Sequence, residues 1–330
     1  MHTLFTSLAV LSFLTLISTL QAQQKSTHNS KSEPSDWELV WSDEFDGDKI
    51  DSTKWDFDTS NGFFTKDTKQ WVSGWGNNEL QYYTSNKENA YVKDGFLNIV
   101  ALKESLHNCG YTSARLKTRK KDGTALFAKA YGKFDFRAKL PLGQGLWPAL
   151  WLLPQEESYG TWAASGEIDV LEATGQEPQK VHGTLHYGSK WPANAHSGET
   201  HIFKEGTTIA DFHNYSIGWE PGEIRWYVDN TLYSTQNSWW SSSKVEADSK
   251  NGAGVKPTKK SELNPWPAPF NKPFYILMNL AVGGHLVGAP NENTPFPSTM
   301  QIDYVRVYTQ KSPPKSTKPR TNKNLPLSQN

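Results

Sequence analysis

Short runs in which hydrophobic and polar residues alternate recur along most of the chain, bounded by Gly, Pro, Asn or Asp. Alternation with a period of two is typical of strands that bury one face, and the bounding residues favour turns. Few segments repeat apolar residues at the spacing of a helix. The pattern predicts strands at residues 37–41, 91–93, 96–102, 114–117, 132–139, 166–173, 180–186, 213–219, 223–228, 275–282 and 300–308.

Many short strands joined by turns predict an all-β fold, either a sandwich or a barrel, and the chain length fits one domain. Asp94-Gly95 and Asp229-Asn230 are dipeptides typical of tight hairpins. A Ser/Lys/Gly-rich stretch at 241–262 lacks apolar periodicity and is interpreted as an inserted surface loop. We find no internal repeat, so one β domain is expected at 37–309.

The two ends of the chain differ from this pattern. Residues 1–22 are Leu-rich and nearly uncharged, which indicates a secretory signal peptide cleaved near Ala22, with an uncleaved anchor as the alternative. Residues 23–36 and 310–330 are polar, and we interpret them as a disordered leader and a disordered Lys/Pro-rich tail. We therefore expect a secreted protein, extracellular or periplasmic, with no membrane partner after cleavage, and we expect it to be a monomer.

The composition of the chain limits the classes of molecule that it is expected to bind. The 34 Lys and Arg balance the 34 Asp and Glu, which gives no reason to expect nucleic acid and fits a neutral polymer better than a sulfated one. Many of the 14 Trp, 13 Tyr and 15 Phe stand beside Gly, Asn or Pro, where rings can stack on the apolar faces of sugars. Cys109 is the sole cysteine, so no disulfide forms within the chain, and we interpret it as a buried apolar residue.

Three acids, Glu167, Asp169 and Glu172, lie within six residues and are separated only by aliphatic residues, which favour a buried strand. Because acids are costly to bury, a strand that carries three of them indicates a use for them. Strand alternation places Glu167 and Asp169 on one face and Glu172 on the other. We predict a β-bulge near Val170–Leu171, which returns Glu172 to the first face. The alternative is a solvated edge strand.

Paired carboxylates suit the cleavage of a glycosidic bond. One acid protonates the departing oxygen while the other attacks the sugar carbon or activates water. Like charges at short range separate the two pKa values, so we expect one glutamic acid to be protonated near neutral pH and its neighbour to be ionised.

The acid motif is similar to the active-site pattern Glu-x-Asp-x-x-Glu of glycoside hydrolase family 16. Residues 75–83, 146–154 and 181–186 resemble, in the same order, motifs of its laminarinase branch, the endo-β-1,3-glucanases. The likeness covers residues 37–308. It implies a β-jelly roll of two curved antiparallel sheets, the concave one forming a substrate cleft. It also implies hydrolysis of β-1,3-glucan, with mixed-linkage β-1,3-1,4-glucan as a further candidate substrate.

The resemblance implies a role for each acid. Glu167 is the expected nucleophile, Glu172 the general acid/base, and Asp169 an assistant that hydrogen-bonds to the nucleophile. The family retains anomeric configuration, which requires the outer carboxyl groups to be roughly 5–5.5 Å apart. No cofactor is expected for this chemistry.

Further side chains match family positions that bind sugars. The expected substrate-binding residues are Asn78, Arg115, Trp147, Trp151, Trp162 and His186. The family's tryptophans stack on sugars of the non-reducing side, and Asn78 and Arg115 match donors to sugar hydroxyls. We expect His186 near Glu172, with a purely structural histidine as the alternative.

The resemblance also implies a structural calcium site away from the cleft, with Glu44, the Gly95 carbonyl and Asp303 as ligands, since oxygen ligands suit calcium. Unmetallated surface acids are the alternative. The insertion at 241–262 is expected near the rim of the cleft.

Three other functions stay open. The nearest enzymatic alternative is a relative acting on agar, carrageenan or porphyran. A sulfated substrate would need a basic cleft, and no Arg/Lys cluster lies near the acids. A transglycosylase of the xyloglucan-modifying kind would have Glu-x-Asp-x-Glu instead. A non-catalytic glucan-binding protein is disfavoured because all three acids are present.

Overall fold

The computed structural model describes residues 36–244 and 257–311. The chain divides into two units, residues 1–37 and 38–330, and the fold below is that of the second. The predicted signal peptide, most of the leader, most of the tail and residues 245–256 of the insertion lie outside the described residues.

Strands dominate the described residues, and helix is limited to two short 3₁₀ turns, at Gly74–Gly76 and Lys260–Glu262. The strands are β1 Trp37–Asp43, β2 Asp56–Asp58, β3 Gly62–Phe64, β4 Trp71–Ser73, β5 Gln81–Tyr83, β6 Ala90–Lys93, β7 Phe96–Ala101, β8 Tyr111–Ser113, β9 Arg115–Lys117, β10 Gly132–Lys139, β11 Leu146–Pro154, β12 Glu167–Glu172, β13 Lys180–Gly188, β14 Asn194–Ile202, β15 His213–Glu220, β16 Glu223–Val228, β17 Thr231–Gln236, β18 Phe274–Val282 and β19 Ser298–Gln310.

Two large antiparallel sheets contain most of these strands. The eight-stranded sheet has the order β17-β16-β15-β10-β19-β7-β6, with β1 also paired to β19. The seven-stranded sheet has the order β14-β13-β12-β11-β18-β9-β2. Buried residues of both sheets form one apolar cluster, so the sheets pack face to face. The predicted all-β jelly-roll sandwich is confirmed.

Each strand predicted from the alternation is present, with ends shifted by at most a few residues. The two hairpin dipeptides are also confirmed, since Asp94, Gly95, Asp229 and Asn230 all have positive φ between paired strands. The prediction named no strand at 146–154, which forms β11 between β12 and β18. Its continuous apolar run and central Pro148 do not show the alternation of a half-buried strand.

Strand β12 carries the predicted bulge. Leu171 pairs with Leu150 and Asp169 with Trp151, so Val170 is an extra residue without a partner in β11. Val170 and Leu171 are therefore both buried in the core, and the register against β13 shifts over the same interval. Trp226 of β16 donates its indole N–H to the Asp169 carbonyl at 2.8 Å, which ties this strand to the opposite sheet.

Within the described residues, no helix has the length and apolar character needed to span a bilayer.

Candidate active site

The bulge brings the three acids of β12 to the same face of the seven-stranded sheet. Glu167 and Glu172 are half-buried and Asp169 is only 2% exposed, whereas the aliphatic residues between them pack into the core. We call this acid-bearing face the cleft face. Because a regular strand would turn Glu172 toward the core, the local extra residue creates the acidic group.

Each glutamate accepts a hydrogen bond from a tryptophan. Trp162, in the loop that precedes β12, donates its indole N–H to Glu167 Oε2 at 3.0 Å. Trp147, on the neighbouring β11, donates to Glu172 Oε1 at 3.1 Å. An indole N–H can only donate, so it stabilises the ionised form of each carboxyl group and fixes its orientation. The sequence predicted both tryptophans as sugar platforms and did not predict these contacts.

His186 lies beside Glu167 and Asp169, and as expected it is also near Glu172, with which it lines the same cavity. Its Nε2 is 3.4 Å from Asp169 Oδ2 and 3.7 Å from Glu167 Oε1. In the β12–β13 register, His186 is opposite Glu167, and His182 is opposite Glu172. Asp169 Oδ2 and His186 Nδ1 are buried atoms without a hydrogen-bond partner in the part of the chain that is described.

Burial controls the protonation of the acids. It raises the pKa values of Glu167, Asp169 and Glu172 to about 8 each. For Glu167 and Glu172 this value also includes the charge of Asp169, which raises the pKa, and the opposing effect of His186. The face therefore holds protons at neutral pH. Since both glutamates shift in the same direction, a difference in protonation between them stays a prediction.

An arginine lies between two aromatic rings on the side of β12 that leads to β2. Arg115 of β9 has its guanidinium carbon 4.7 Å from the centre of the Trp151 ring and 4.4 Å from that of Trp75. Its Nε also lies 3.1 Å from Asp58 Oδ2. Trp151 donates its indole N–H to Asn279 of β18 at 2.7 Å. Arg115 is thus a buried, paired part of the floor, and its contact with sugar hydroxyls stays a prediction.

Asn78 is exposed at the other predicted position, where its amide nitrogen lies within hydrogen-bond distance of His285 Nε2. The backbone approaches the cleft face here, because a Cβ on Gly284 would lie 3.1 Å from the Trp147 ring. Asn78, His285 and Trp147 therefore surround the end of the cleft face that carries Glu172.

A fourth acid, Glu79, was not predicted. It accepts hydrogen bonds from Asn77, Gln81 and Tyr83 at 3.1, 2.7 and 3.3 Å. Burial raises its pKa, and its charge contributes to the raised pKa of Glu172. The sequence feature that could have indicated a role for Glu79 is its position within the motif at 75–83.

Beyond β12 in the other direction, a cavity of about 450 Å³ is lined by Glu172 and by residues of β13 and β14, including His182, His196 and Thr200. His182 Nδ1 lies 2.9 Å from Thr200 Oγ1. Burial lowers the pKa values of His182 and His196, which favours neutral imidazoles at pH 7. A neutral imidazole both donates and accepts hydrogen bonds, as a sugar hydroxyl requires.

The expected calcium ligands have arginine partners. Both oxygens of Glu44 accept from Arg306, at 3.0 and 2.8 Å, and Asp303 accepts from Arg137 at 2.5 Å. Gly95 is the second residue of the β6–β7 hairpin turn. Because a calcium ion would compete with two guanidinium groups, these residues do not form a ready site as they stand. The calcium site stays a prediction.

The ends of the predicted insertion are well packed. Ser241 and Ser242 are buried, and the Ser241 hydroxyl donates to the Ala164 carbonyl at 2.7 Å, three residues before Glu167. These contacts place the described start of the insertion beside the loop that leads into β12.

Comparison with known proteins gives a consistent picture. The family described as Glycosyl hydrolases family 16 matches residues 77–247. The chain is 44% identical to the glucan endo-1,3-beta-glucosidase A1 of Niallia circulans, over 82% of this chain but only 38% of that protein. It is 41% identical to the beta-glucanase of Rhodothermus marinus, over 82% of this chain and 85% of that protein. The laminarinase catalytic domain of Thermotoga maritima has a similar structure, with a TM-score of 0.67 and 38% identity over 84% of this chain and 100% of that domain.

Proposed function

The chain belongs to glycoside hydrolase family 16, and from this premise we propose that it is an endo-β-1,3-glucanase that cleaves with retention of configuration. One observation carries the proposal: Glu167, Asp169 and Glu172 share one face of β12, and each glutamate accepts an indole N–H. Two carboxyl groups on one open face are what a double displacement at a sugar carbon requires.

In the first displacement, protonated Glu172 gives its proton to the glycosidic oxygen as the bond from that oxygen to the anomeric carbon breaks. The Glu167 carboxylate attacks the same carbon and forms a glycosyl ester, while the shortened glucan departs. The Trp162 N–H holds Glu167 Oε2, which leaves Oε1 as the attacking atom. The Trp147 N–H holds Glu172 Oε1, so Oε2 carries the transferred proton.

In the second displacement, the Glu172 carboxylate takes a proton from water, and the water oxygen attacks the anomeric carbon. The bond to Glu167 breaks and the carboxylate is restored. Two inversions at one carbon give net retention. Glu172 ends protonated, as it began.

Asp169 supports this cycle by holding a proton near the nucleophile. Burial raises its pKa, and it lies 3.4 Å from His186 Nε2. In the protonated state Asp169 is neutral, so its charge no longer opposes ionisation of Glu167. His186 and a protonated Asp169 therefore favour ionisation of Glu167 while the total charge of the face stays low.

The cations of the cleft face favour a neutral substrate. Arg115 and Lys117 are both held against Asp58, so this group carries one net positive charge and is not a cluster of free cations for sulfate groups. Aromatic rings and neutral imidazoles suit the faces and hydroxyls of glucose units. Mixed-linkage β-1,3-1,4-glucan is a second substrate under this proposal. Relatives acting on sulfated galactans are disfavoured for the same reason.

The test is hydrolysis of laminarin, followed by reducing-end release and by the anomeric configuration of the first product in a nuclear magnetic resonance spectrum. We expect β-configured products from the parent chain and none from Glu167→Ser. Glu88→Ser, in an exposed turn, is the matched control and should act like the parent. Binding without turnover in the parent would favour the non-catalytic alternative. Initial α-configured products would contradict retention.

A second test addresses Glu172. Glu172→Ala should lose far more activity on laminarin than on a short β-1,3-linked glucan with an aryl leaving group. An aryl group leaves readily and needs little help from a proton donor. Equal losses on both substrates would remove Glu172 from the acid role.

Secretion is the remaining part of the proposal, and it rests on the composition of residues 1–22. Fusion of these residues to a reporter protein should export the reporter and remove them near Ala22. Retention of the uncleaved fusion in the membrane would favour the anchor instead.

A further inference from the structure

Glu79 is the common acceptor of a hydrogen-bond network beside the cleft face. Its Oε1 accepts from Asn77 at 3.1 Å, and its Oε2 accepts from Gln81 at 2.7 Å and from Tyr83 at 3.3 Å. Gln81 and Tyr83 are completely buried. The double displacement described above does not use this acid, so its three partners indicate a different role.

The first branch of the network leads from Glu79 to Trp151. The Trp151 indole N–H donates to Asn279 Oδ1 at 2.7 Å, and Asn279 Nδ2 donates to the Tyr83 hydroxyl at 3.1 Å. The Tyr83 hydroxyl then donates to Glu79. Because an indole N–H can only donate, it fixes the orientation of the Asn279 amide. Glu79 therefore holds Trp151, one of the expected sugar platforms, through two buried side chains.

The second branch fixes the segment that follows β18. The Val282 N–H donates to Gln81 Oε1 at 2.8 Å, so the Gln81 amide nitrogen is left to donate to Glu79. The Asn77 carbonyl accepts from the His285 N–H at 2.8 Å, while the Asn77 side chain donates to Glu79. Both ends of this segment are therefore connected to one carboxyl group.

The segment packs against the tryptophan that contacts the general acid. A Cβ on Gly284 would lie 3.1 Å from the Trp147 ring and 3.1 Å from the Asn77 carbonyl. Gly284 has a φ of +118°, which favours glycine, so this close approach depends on the residue present. Trp147 donates its indole N–H to Glu172 Oε1 at 3.1 Å. A shift of the segment would therefore move Trp147 and the carboxyl group that it orients.

The direction of the hydrogen bonds shows what residue 79 must supply. Both branches begin at an N–H that cannot accept, an indole and a backbone amide, so each later step is a donation toward Glu79. A leucine at this position would leave the buried donors of Gln81 and Tyr83 unpaired, which is unfavourable. A glutamine oxygen could accept from both, and its NH2 could donate to Asn77 once that amide turns over.

We propose that Glu79 is a positioning residue for the reaction: by accepting both branches, it sets the placement of Trp147, which orients the general acid Glu172, and of Trp151. The inference rests on the proposed function and adds a residue that aligns the acid with a sugar platform. The charge of Glu79 also raises the pKa of Glu172, and the variants below separate that effect from the hydrogen bonds.

The test compares two substitutions at residue 79 on two substrates. Glu79→Leu accepts no hydrogen bond, so its kcat on laminarin should fall about tenfold or more, as expected for lost bonds to a charged group. On a short β-1,3-linked glucan with an aryl leaving group, kcat should fall less than about threefold, because that group needs little protonation. Glu79→Gln should stay within about threefold of the parent on both substrates, because its oxygen still accepts from Gln81 and Tyr83.

The ratio of the two kcat values, measured on one preparation, does not depend on the fraction of folded protein. Glu88→Leu, in an exposed turn, is the matched control and should act like the parent on both substrates. Equal losses on both substrates in Glu79→Leu, or no loss, would overturn the proposal. A loss in Glu79→Gln as large as that in Glu79→Leu would also overturn it, because charge and not hydrogen bonding would then act on Glu172.

Tyr83→Phe tests the first branch by itself, because the bonds of Gln81 and Asn77 to Glu79 remain. We expect KM for laminarin to rise about threefold, since Trp151 loses part of its support, with the ratio of the two kcat values unchanged. A changed ratio would show that this branch also orients Glu172, which contradicts the separate roles assigned to the two branches.

A crystal structure of Glu79→Leu separates this inference from the catalytic proposal. We expect the segment 282–285 to be displaced and the bond from Trp147 to Glu172 to be lost. If that bond is intact, the positioning role is wrong whatever the activity of the parent. If the bond is lost but the parent releases no reducing ends from laminarin, the proposed function fails while the structural dependence on Glu79 stands.

Discussion

The acids of β12 and the acids near β19 differ in their partners. Glu44 and Asp303, at the eight-stranded sheet, each contact an arginine. Glu167, Asp169 and Glu172 have no Lys or Arg ion pair among the described residues; two of them instead lie within 4 Å of His186. Burial without a cationic partner raises the pKa of a carboxyl group and makes its ionised form costly. We therefore assign a catalytic role to the three acids of β12 and a structural role to Glu44 and Asp303, which form ion pairs.

The sharpest way to test the comparison is to neutralise one acid of β12. We expect Glu167→Gln to reduce kcat on laminarin by about 10³-fold or more, because the covalent step loses its nucleophile. The same change should raise Tm at pH 8, because a buried carboxyl group that is costly to ionise is replaced by a neutral amide. The measurements are initial rates and thermal unfolding of the same preparations.

A lower Tm for Glu167→Gln, measured at pH 8, would show that the carboxylate contributes to folding through Trp162 and His186. In that case Glu167 would stabilise the fold as Glu44 does, and the proposed difference between the two acids would be wrong even if activity were lost.

The tryptophan donors are expected to have the next largest effect. Trp162→Phe keeps an aromatic ring but removes the N–H that Glu167 accepts. A hydrogen bond to a charged group is worth about 1.5–3 kcal/mol, so kcat should fall roughly 10- to 100-fold. Because this bond lowers the pKa of Glu167, the acidic limb of the pH–rate profile should move to higher pH.

Trp151→Phe is the matched control for that experiment, since its N–H is donated to Asn279 and not to an acid. It should leave the acidic limb unchanged. A shift of the same size in both variants would mean that the profile does not report the Trp162 bond.

The pH dependence of stability follows from the raised pKa values. The pKa of Asp169 is raised to about 8 in the folded state, from an ordinary value of 3.8. Between these values the folded protein binds more protons than the unfolded chain, so the free energy of unfolding falls as pH rises. Glu167 and Glu172 act in the same direction. Asp169→Asn should therefore remove about one third of this joint contribution to the slope between pH 5 and pH 8.

Urea unfolding of parent and Asp169→Asn at several pH values measures this difference. If the two proteins have parallel pH profiles, Asp169 is ionised in the folded state across the range, and its proposed proton-holding role is wrong.

Local patterns predicted the acidic face, because a strand period of two and one extra residue depend only on neighbours in the sequence. Partners across the fold were not predictable in this way. The indole contacts of Trp162 and Trp147 depend on how the loop 155–166 folds back and on the β11–β12 register. His186 lies beside Glu167 because the β12–β13 register fixes it there, and sequence alone does not give a register. Glu44 and Arg306 are 262 residues apart, so no local pattern indicates their pairing.

The smallest effects on activity and stability are expected when the Glu44–Arg306 ion pair is removed. The same variants also test whether Glu44 binds calcium. The Glu44 and Arg306 side chains are 36% and 32% exposed, so losing their ion pair should cost roughly 0.5–1 kcal/mol, or about 1–4 °C in Tm. Activity should not change in Arg306→Ala. This variant also frees both Glu44 oxygens, so added calcium should raise its Tm more than that of the parent, with Glu44→Gln showing no response. A parent that already gains several degrees with calcium, and loses them with a chelator, would show that the ion displaces Arg306 and that Glu44 is a ligand as first predicted.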